Sequence, residues 1–259
     1  MIGLRVGIKA GPRVGPAVGV GADPTSAAGA SRDAASGIYV PATSSEWSSL
    51  GLTAPGNLWL CQESSGNLAD SIGSISLTAV NGPTYQQSVS GWTRKAVSTT
   101  DGTANQNFGS TAAALPDIAT TSAMLLMYAQ VTTIGATRGS CLLGTTTTAE
   151  LRALTTPAYR MLSGANLATG ASNPTGSVRP IVVKIDRTGS TCKAYTNQEI
   201  MAPTFSSGMT GKQVMLGYSG GAPPTQLIVY AALWQGSAAE RTDAQVRSML
   251  QSLGWTIPW

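Results

Sequence analysis

The stretch "IVVKIDRTGSTCKAYT" at residues 181–196 alternates every second residue, breaks at a turn, and resumes the same alternation. Ile181, Val183 and Ile185 oppose Val182, Lys184 and Asp186, the period of a half-buried strand. Arg187-Thr188-Gly189-Ser190 is turn material, after which Cys192, Ala194 and Thr196 alternate with Lys193 and Tyr195. Asn197-Gln198 marks the next turn, where Asn tolerates a left-handed backbone more readily than Gln. The same rhythm predicts strands at 37–40, 57–61, 74–80, 124–134, 158–162, 179–186, 191–196, 213–218 and 226–234. Between them lie "NGP", "DGT", "SGA", "SGG" and "APP", all turn signals. Many short strands with such punctuation predict an all-β chain, an antiparallel β-sandwich.

One helix stands out. Thr242 and Gln245 have the spacing of a capping box, and Asp243 suits the positive end of the helix dipole. Val246, Met249, Leu250 and Leu253 form one apolar stripe, and Gly254 supplies the stop. Such a stripe reads as a short C-terminal helix packed on the core.

Three segments, in order, carry a resemblance: "LADSIGSISLTAVNGPTY" (68–85), "RPIVVKIDRTGSTCKAYTNQEI" (179–200) and "QLIVYAALWQGSAAERTDAQVRSMLQSLGW" (226–255). Together they resemble the concanavalin A-like jelly-roll superfamily in its laminin-G-like, or pentraxin-like, branch. The first is similar to the segment before that family's first long loop. The second is similar to its central hairpin, and the third to its last strand and small helix. Gln198 departs from the pattern, standing where the family usually has Gly. The resemblance implies a concanavalin A-like sandwich and says little of activity, since that fold hosts lectins, glycosidases and structural modules.

The twelve acids and sixteen bases make only 11% of the 259 residues charged, against roughly 25% in an ordinary soluble domain. With 42% hydrophobic residues for a core, the surface must be built from Ser, Thr, Asn, Gln, Gly and Ala. Such a surface is wettable but repels its own copies weakly. The net charge of +4 is small and the basic residues are scattered, so no specific nucleic-acid partner is expected. Cys61, Cys141 and Cys192 are odd in number and far apart, which predicts buried reduced thiols rather than disulfides or a zinc site.

Residues 1–36 differ in texture: rich in Gly, Ala, Val and Pro, without an aromatic. They are expected to form an extended N-terminal arm that orders on a neighbouring subunit, leaving 37–259 as a sandwich that folds alone. Val6, Ile8, Val14, Val18 and Val20 would anchor the arm, and Arg5, Lys9 and Arg13 would meet acidic or polar groups. Arg5, Lys9, Arg13 and the glycines among them interrupt any signal-peptide core, and no run of eighteen apolar residues predicts a membrane helix.

The chain contains no His, which removes Ser-His-Asp and Cys-His triads. Glycosidases of the family carry carboxylates at alternate strand positions, and no strand expected here has such a pair. No catalytic residue, cofactor or metal is therefore expected, and the chain reads as a non-enzyme. A weak calcium rim can be drawn from Asp101, Asn105 and Asn107, with Asp70 joining them. A metal-free sugar platform would use Trp92 with Asn105 and Gln106. Trp59 and Trp234 sit in apolar strands and read as core, while Trp255 and Trp259 in "GWTIPW" read as an apolar clamp.

Two functions fit this profile. The first is a structural protein of a virus particle, a phage head-decoration or tail-associated subunit, made in the host cytoplasm and located in the virion. Its partners would be major capsid or tail subunits and copies of itself, reached through the arm. The alternative is a carbohydrate-binding, lectin-like module that recognises surface glycans.

Overall fold

The computed structural model describes residues 31–259 apart from 101–105, 112, 135–137, 146–147, 157 and 218–223. In chain order its regular elements begin with helix α1 (Ser44–Ser49) and strands β1 (Asn57–Trp59), β2 (Thr78–Val80), β3 (Thr84–Gln87), β4 (Ala96–Thr99) and β5 (Asn107–Gly109). There follow β6 (Ala123–Thr133), β7 (Arg138–Leu143), β8 (Ala149–Leu154), β9 (Ala158–Ser163) and β10 (Asn166–Thr169). The last are β11 (Arg179–Asp186), β12 (Thr191–Thr196), β13 (Ile200–Met201), β14 (Val214–Leu216), β15 (Thr225–Gln235), a 3-10 turn (Gly236–Ala239) and α2 (Asp243–Ser252). They form two antiparallel sheets. The larger runs β13-β12-β11-β6-β15-β4-β3, with β1 pairing a later stretch of β15; the smaller runs β10-β9-β8-β7-β14-β5-β2.

The central pair β6–β15 is apolar on both faces because both faces are covered. Leu125, Met127, Ala129, Ile228, Ala231 and Leu233 point into the space between the sheets, where Cys141, Leu143, Leu151, Tyr159 and Met161 meet them. Met124, Leu126, Tyr128, Tyr230, Ala232 and Trp234 point the other way, under α2, Trp47 of α1 and residues 38–40. A bulge between Ile228 and Tyr230 lets the neighbours Val229 and Tyr230 share the outer cluster. The all-β reading and its C-terminal helix hold. Thr242 and Gln245 close the capping box, Val246, Met249 and Leu250 are buried, and Gly254 takes a φ of 94°. The three thiols are free and buried, and burial pushes Cys141 and Cys192 up to about 12.

Several expected elements differ. The run 37–40 makes one bridge, Arg32 to Tyr39, because Tyr39 N donates to Leu253 O (2.9 Å) and Val40 N to Ser31 O (2.8 Å). The strand expected at 74–80 starts only at Thr78, because Asp70 draws the preceding loop around its carboxylate, accepting from Ile72 N, Gly73 N and Ile75 N. At Asn197-Gln198 neither residue is left-handed; the Thr196 hydroxyl accepts from Gln198 N and Glu199 N, both at 3.2 Å, so no Gly is needed. Residues 31–36, assigned to the arm, lie against the sandwich: Asp33 is 2% exposed and accepts from Thr93 N, Thr93 Oγ1 and Arg94 N. The residues expected to make the arm's contacts, Arg5, Val6, Ile8, Lys9, Arg13, Val14, Val18 and Val20, lie outside the described residues.

Burial pushes the Asp33 carboxyl up, but hydrogen bonds from Ser36, Thr93 and Arg94 outweigh it and hold the group well below the usual carboxylate range. Asp70 is likewise lowered despite burial, by Asn57, Leu58, Gly73 and Ile75, and Asp243 by Lys193 and Tyr195. Each therefore binds a proton more weakly folded than unfolded. Their stabilisation is complete above the unfolded carboxylate value of about 4 and is lost as pH falls toward their folded values. The melting temperature is expected to fall steadily on acidification from about pH 5, and an Asp33→Asn variant to lose less over that range. An identical acid slope in the variant would show that Asp33 does not contribute.

Candidate functional site

Alternation on the smaller sheet sends one set of side chains into the core and the other outward. Phe108, Val214, Leu216, Ala79 and Cys141 face inward, so Asn107, Gly109, Met215, Thr78, Val80 and Leu142 face out. Gly109 pairs with both Met215 and Thr78, and its lack of a side chain leaves a hollow between strands that would otherwise be filled. A Cβ built there would stand 3.0 Å from Asn107 Oδ1 and 3.4 Å from Met215 Cγ.

That hollow is a groove of about 440 Å³ lined by Thr78, Val80, Asn107, Gly109, Ser110, Thr111, Gln213 and Met215. Its volume falls within the roughly 300–1,000 Å³ of ordinary small-molecule sites. Gln213 Nε2 donates to Ser110 O (3.1 Å), and Ser110 Oγ accepts from Val214 N (3.1 Å), so the polar rim is fixed by the strand ends. Met215 and Val80 supply an apolar floor, and amides and hydroxyls surround it. The lining groups can donate and accept hydrogen bonds at neutral pH without titrating.

The sequence-level site residues are scattered. Asn107 lines the groove. Gln106 is buried instead, donating to Gly82 O (2.8 Å) and accepting from Thr100 N. Trp92 packs near Tyr128 (6.1 Å) and Trp255 (6.2 Å) on the outer side of the larger sheet, so it is not a platform beside Gln106. Asp101 and Asn105 lie outside the described residues. Asp70 is spent on Asn57 Nδ2 (2.6 Å), Leu58 N and its own loop, which leaves it no role in a calcium rim. Among the described residues no three His, Cys, Asp or Glu side chains gather as metal ligands. Trp59 and Trp234 are core, and the C-terminal clamp forms: Trp255 packs on Tyr128, and Trp259 Nε1 donates to Thr196 O (2.8 Å).

Sequence reasoning missed Thr78, Gly109, Ser110, Gln213 and Met215. Gln213 stands about a hundred residues along the chain from Asn107, and only the β14–β5 pairing brings them together.

The sequence matches no protein-family model and no curated protein. Solved structures do match in fold. A Trypanosoma rangeli sialidase in complex with 2,3-difluoro-KDN is 11% identical over 80% of this chain, with a TM-score of 0.58. The binding domain of botulinum neurotoxin serotype D is 6% identical over 76% of this chain, with a TM-score of 0.52. The binding domain of botulinum neurotoxin DC, solved in complex with SialylT, is 6% identical over 77%, with a TM-score of 0.51. The chain spans 34% of that sialidase's length and about half of each neurotoxin domain, 50% and 52%. At such identities the likeness establishes the fold: a two-sheet β-sandwich. It also corrects one expectation. The absence of His and of paired carboxylates suggests a non-enzyme, yet structures sharing this fold include sialidases, so that exclusion does not stand. Among the described residues no helix is long and apolar enough to cross a membrane.

Proposed function

We propose that this chain is a carbohydrate-binding β-sandwich of the concanavalin A-like kind, using the groove on the outer face of the smaller sheet. The observation that carries the reading is the groove's make-up: an apolar floor of Met215 and Val80 ringed by Asn107, Gln213, Ser110 and Thr78. Sugar rings present the same mixture, C–H faces edged by hydroxyls, and such sites bind by a few placed polar groups over an apolar surface. The fold likeness supports it at the level of architecture, since one neurotoxin binding domain of this fold was solved in complex with SialylT. The virion-subunit reading, with capsid or tail partners, is the weaker one. Most of its carrying element, the arm, lies outside the described residues.

A glycan array probed with the full chain tests this. Binding to a defined set of glycans is expected, and Gly109→Val is expected to cut it by about tenfold or more by filling the groove, with a small fall in melting temperature because its Cβ meets Asn107 Oδ1 at 3.0 Å. Wild-type protein that binds no glycan would overturn the reading, as would undiminished binding by a folded Gly109→Val variant.

A further inference from the structure

We propose that the ligand of this face is an acidic oligosaccharide, with neutral rings in the groove and a carboxylate or sulfate held by Arg160 and Arg152. The inference rests on the carbohydrate reading and names the class of sugar. The strand registers place the residues. Met215 pairs with Leu142, Leu142 with Glu150, Glu150 with Leu162 and Leu162 with Leu167, one row running outward from the groove across the sheet. In the adjacent row Arg152 pairs directly with Arg160, and Arg160 with Thr169. Leu151, Ala153, Tyr159 and Met161 point into the core, so both arginines stand on the groove's side of the sheet.

Two cations directly opposite each other on one face repel. Glu150 compensates only one of them. It is 4% exposed, and its carboxylate takes Arg152 Nε at 2.6 Å and Nη2 at 3.0 Å. This bidentate pair fixes the Arg152 plane and raises its pKa. Arg160 has a much weaker hold, Nε to Thr169 Oγ1 at 3.3 Å, and among the described residues no carboxylate pairs with it. The cluster therefore carries one positive charge in excess, on a chain with only 11% charged residues. A planar guanidinium with unused N–H groups, beside a second one already locked in place, matches the geometry of a carboxylate or sulfate.

Spacing decides for an oligosaccharide over a single acid. From Met215 on β14 to Arg160 on β9 there are three strand intervals, roughly 14 Å at the usual spacing. Leu142 and Leu162 floor that path on either side of Glu150, whose buried carboxylate is taken up by Arg152, and Leu167, 56% exposed, borders it on β10. Apolar side chains between a hydroxyl-reading groove and a cationic end suit a chain of sugar rings terminating in an acid.

The test compares wild type with Arg160→Gln on an array holding neutral, carboxylate-bearing and sulfated glycans, together with polyglutamate as a sugar-free polyanion. Arg160→Gln is the variant of choice because Arg152→Gln would strand the buried Glu150. Acidic glycans are expected to bind at least about tenfold more tightly than their neutral counterparts. Arg160→Gln should remove that advantage, leave neutral binding and the melting temperature unchanged, and added salt should weaken only the acidic component. The carboxylate and sulfate arms identify which acid is read. Equal binding of neutral and acidic glycans, or no effect of Arg160→Gln, overturns the proposal while the carbohydrate reading stands. Equal binding of polyglutamate overturns it as well, and an array without any binding overturns both.

Discussion

Trp234→Ala is expected to lower the melting temperature by roughly 10 °C, well beyond the shift from Trp255→Ala in the same covering layer. Trp234 is fully buried at the far end of β15, on the outer face of the larger sheet. Its ring meets Trp47 edge-on at 5.2 Å, its Nε1 donates to Thr53 O (3.0 Å), and the Arg241 guanidinium lies 5.4 Å from its centroid. The side chain thus joins three pieces of the covering layer: α1, the loop after it, and the turn that leads into α2. Removing a buried Trp costs about 3–5 kcal/mol, and each kcal/mol shifts a chain of this size by about 2–4 °C. Trp255→Ala makes the control, because that ring is half-buried, meeting Tyr128 and Trp92 in the same layer, where Trp234 is fully buried. Thermal melts followed by circular dichroism would decide. A Trp234→Ala shift no larger than that of Trp255→Ala would mean the covering layer contributes little to stability.

The strands legible in the sequence are those whose pattern needs no partner to be seen. β11 and β12 alternate cleanly, and β6 and β15 are long apolar runs because both their faces are covered. β7, β8 and β10 are harder to read for the opposite reason, while β9 is read at 158–162. In "AELRAL" the inward positions are Ala149, Leu151 and Ala153, and Ala gives too weak an apolar signal to mark a period. Helix α1, only six residues long, escapes notice, although Thr43 and Glu46 have the spacing of a helix start and the Thr43 side chain accepts from Glu46 N. The groove is legible only through Asn107. Trp92 and Gln106 group together by nearness in sequence, but the chain carries them to opposite sheets, and sheet pairing is a long-range choice that local pattern does not encode. The Arg152–Arg160 pair has a usable local signal, two short runs flanking "TTP", and a hairpin drawn there sets the two arginines opposite each other.

A fragment of residues 37–259 is expected to melt roughly 6–12 °C below one of residues 31–259, although the chain pattern alone suggests that nothing before Gly37 is needed. The six residues between the two start points do more than extend the chain. Ser31 O accepts from Val40 N, and Ser31 Oγ donates to Glu46 Oε1 at 2.7 Å, which ties the segment to α1. The Arg32 guanidinium lies 5.3 Å from the centre of the Tyr39 ring. Asp33 then accepts from Ser36 N within its own turn and from Thr93 N and Arg94 N sixty residues on, at 2.9–3.0 Å for the closest contacts. Without it the Thr93 and Arg94 amides lose a charged acceptor, and hydrogen bonds to a charged group contribute about 1.5–3 kcal/mol each. A total near 3 kcal/mol at about 2–4 °C per kcal/mol gives the expected range. Asp33→Ala in the full chain should reproduce at least half of the shift, since it removes the buried acceptor and leaves the backbone contacts. If the two fragments melt together, residues 31–36 rest on the sandwich without stabilising it, and the folded unit begins at Gly37 as its sequence suggests.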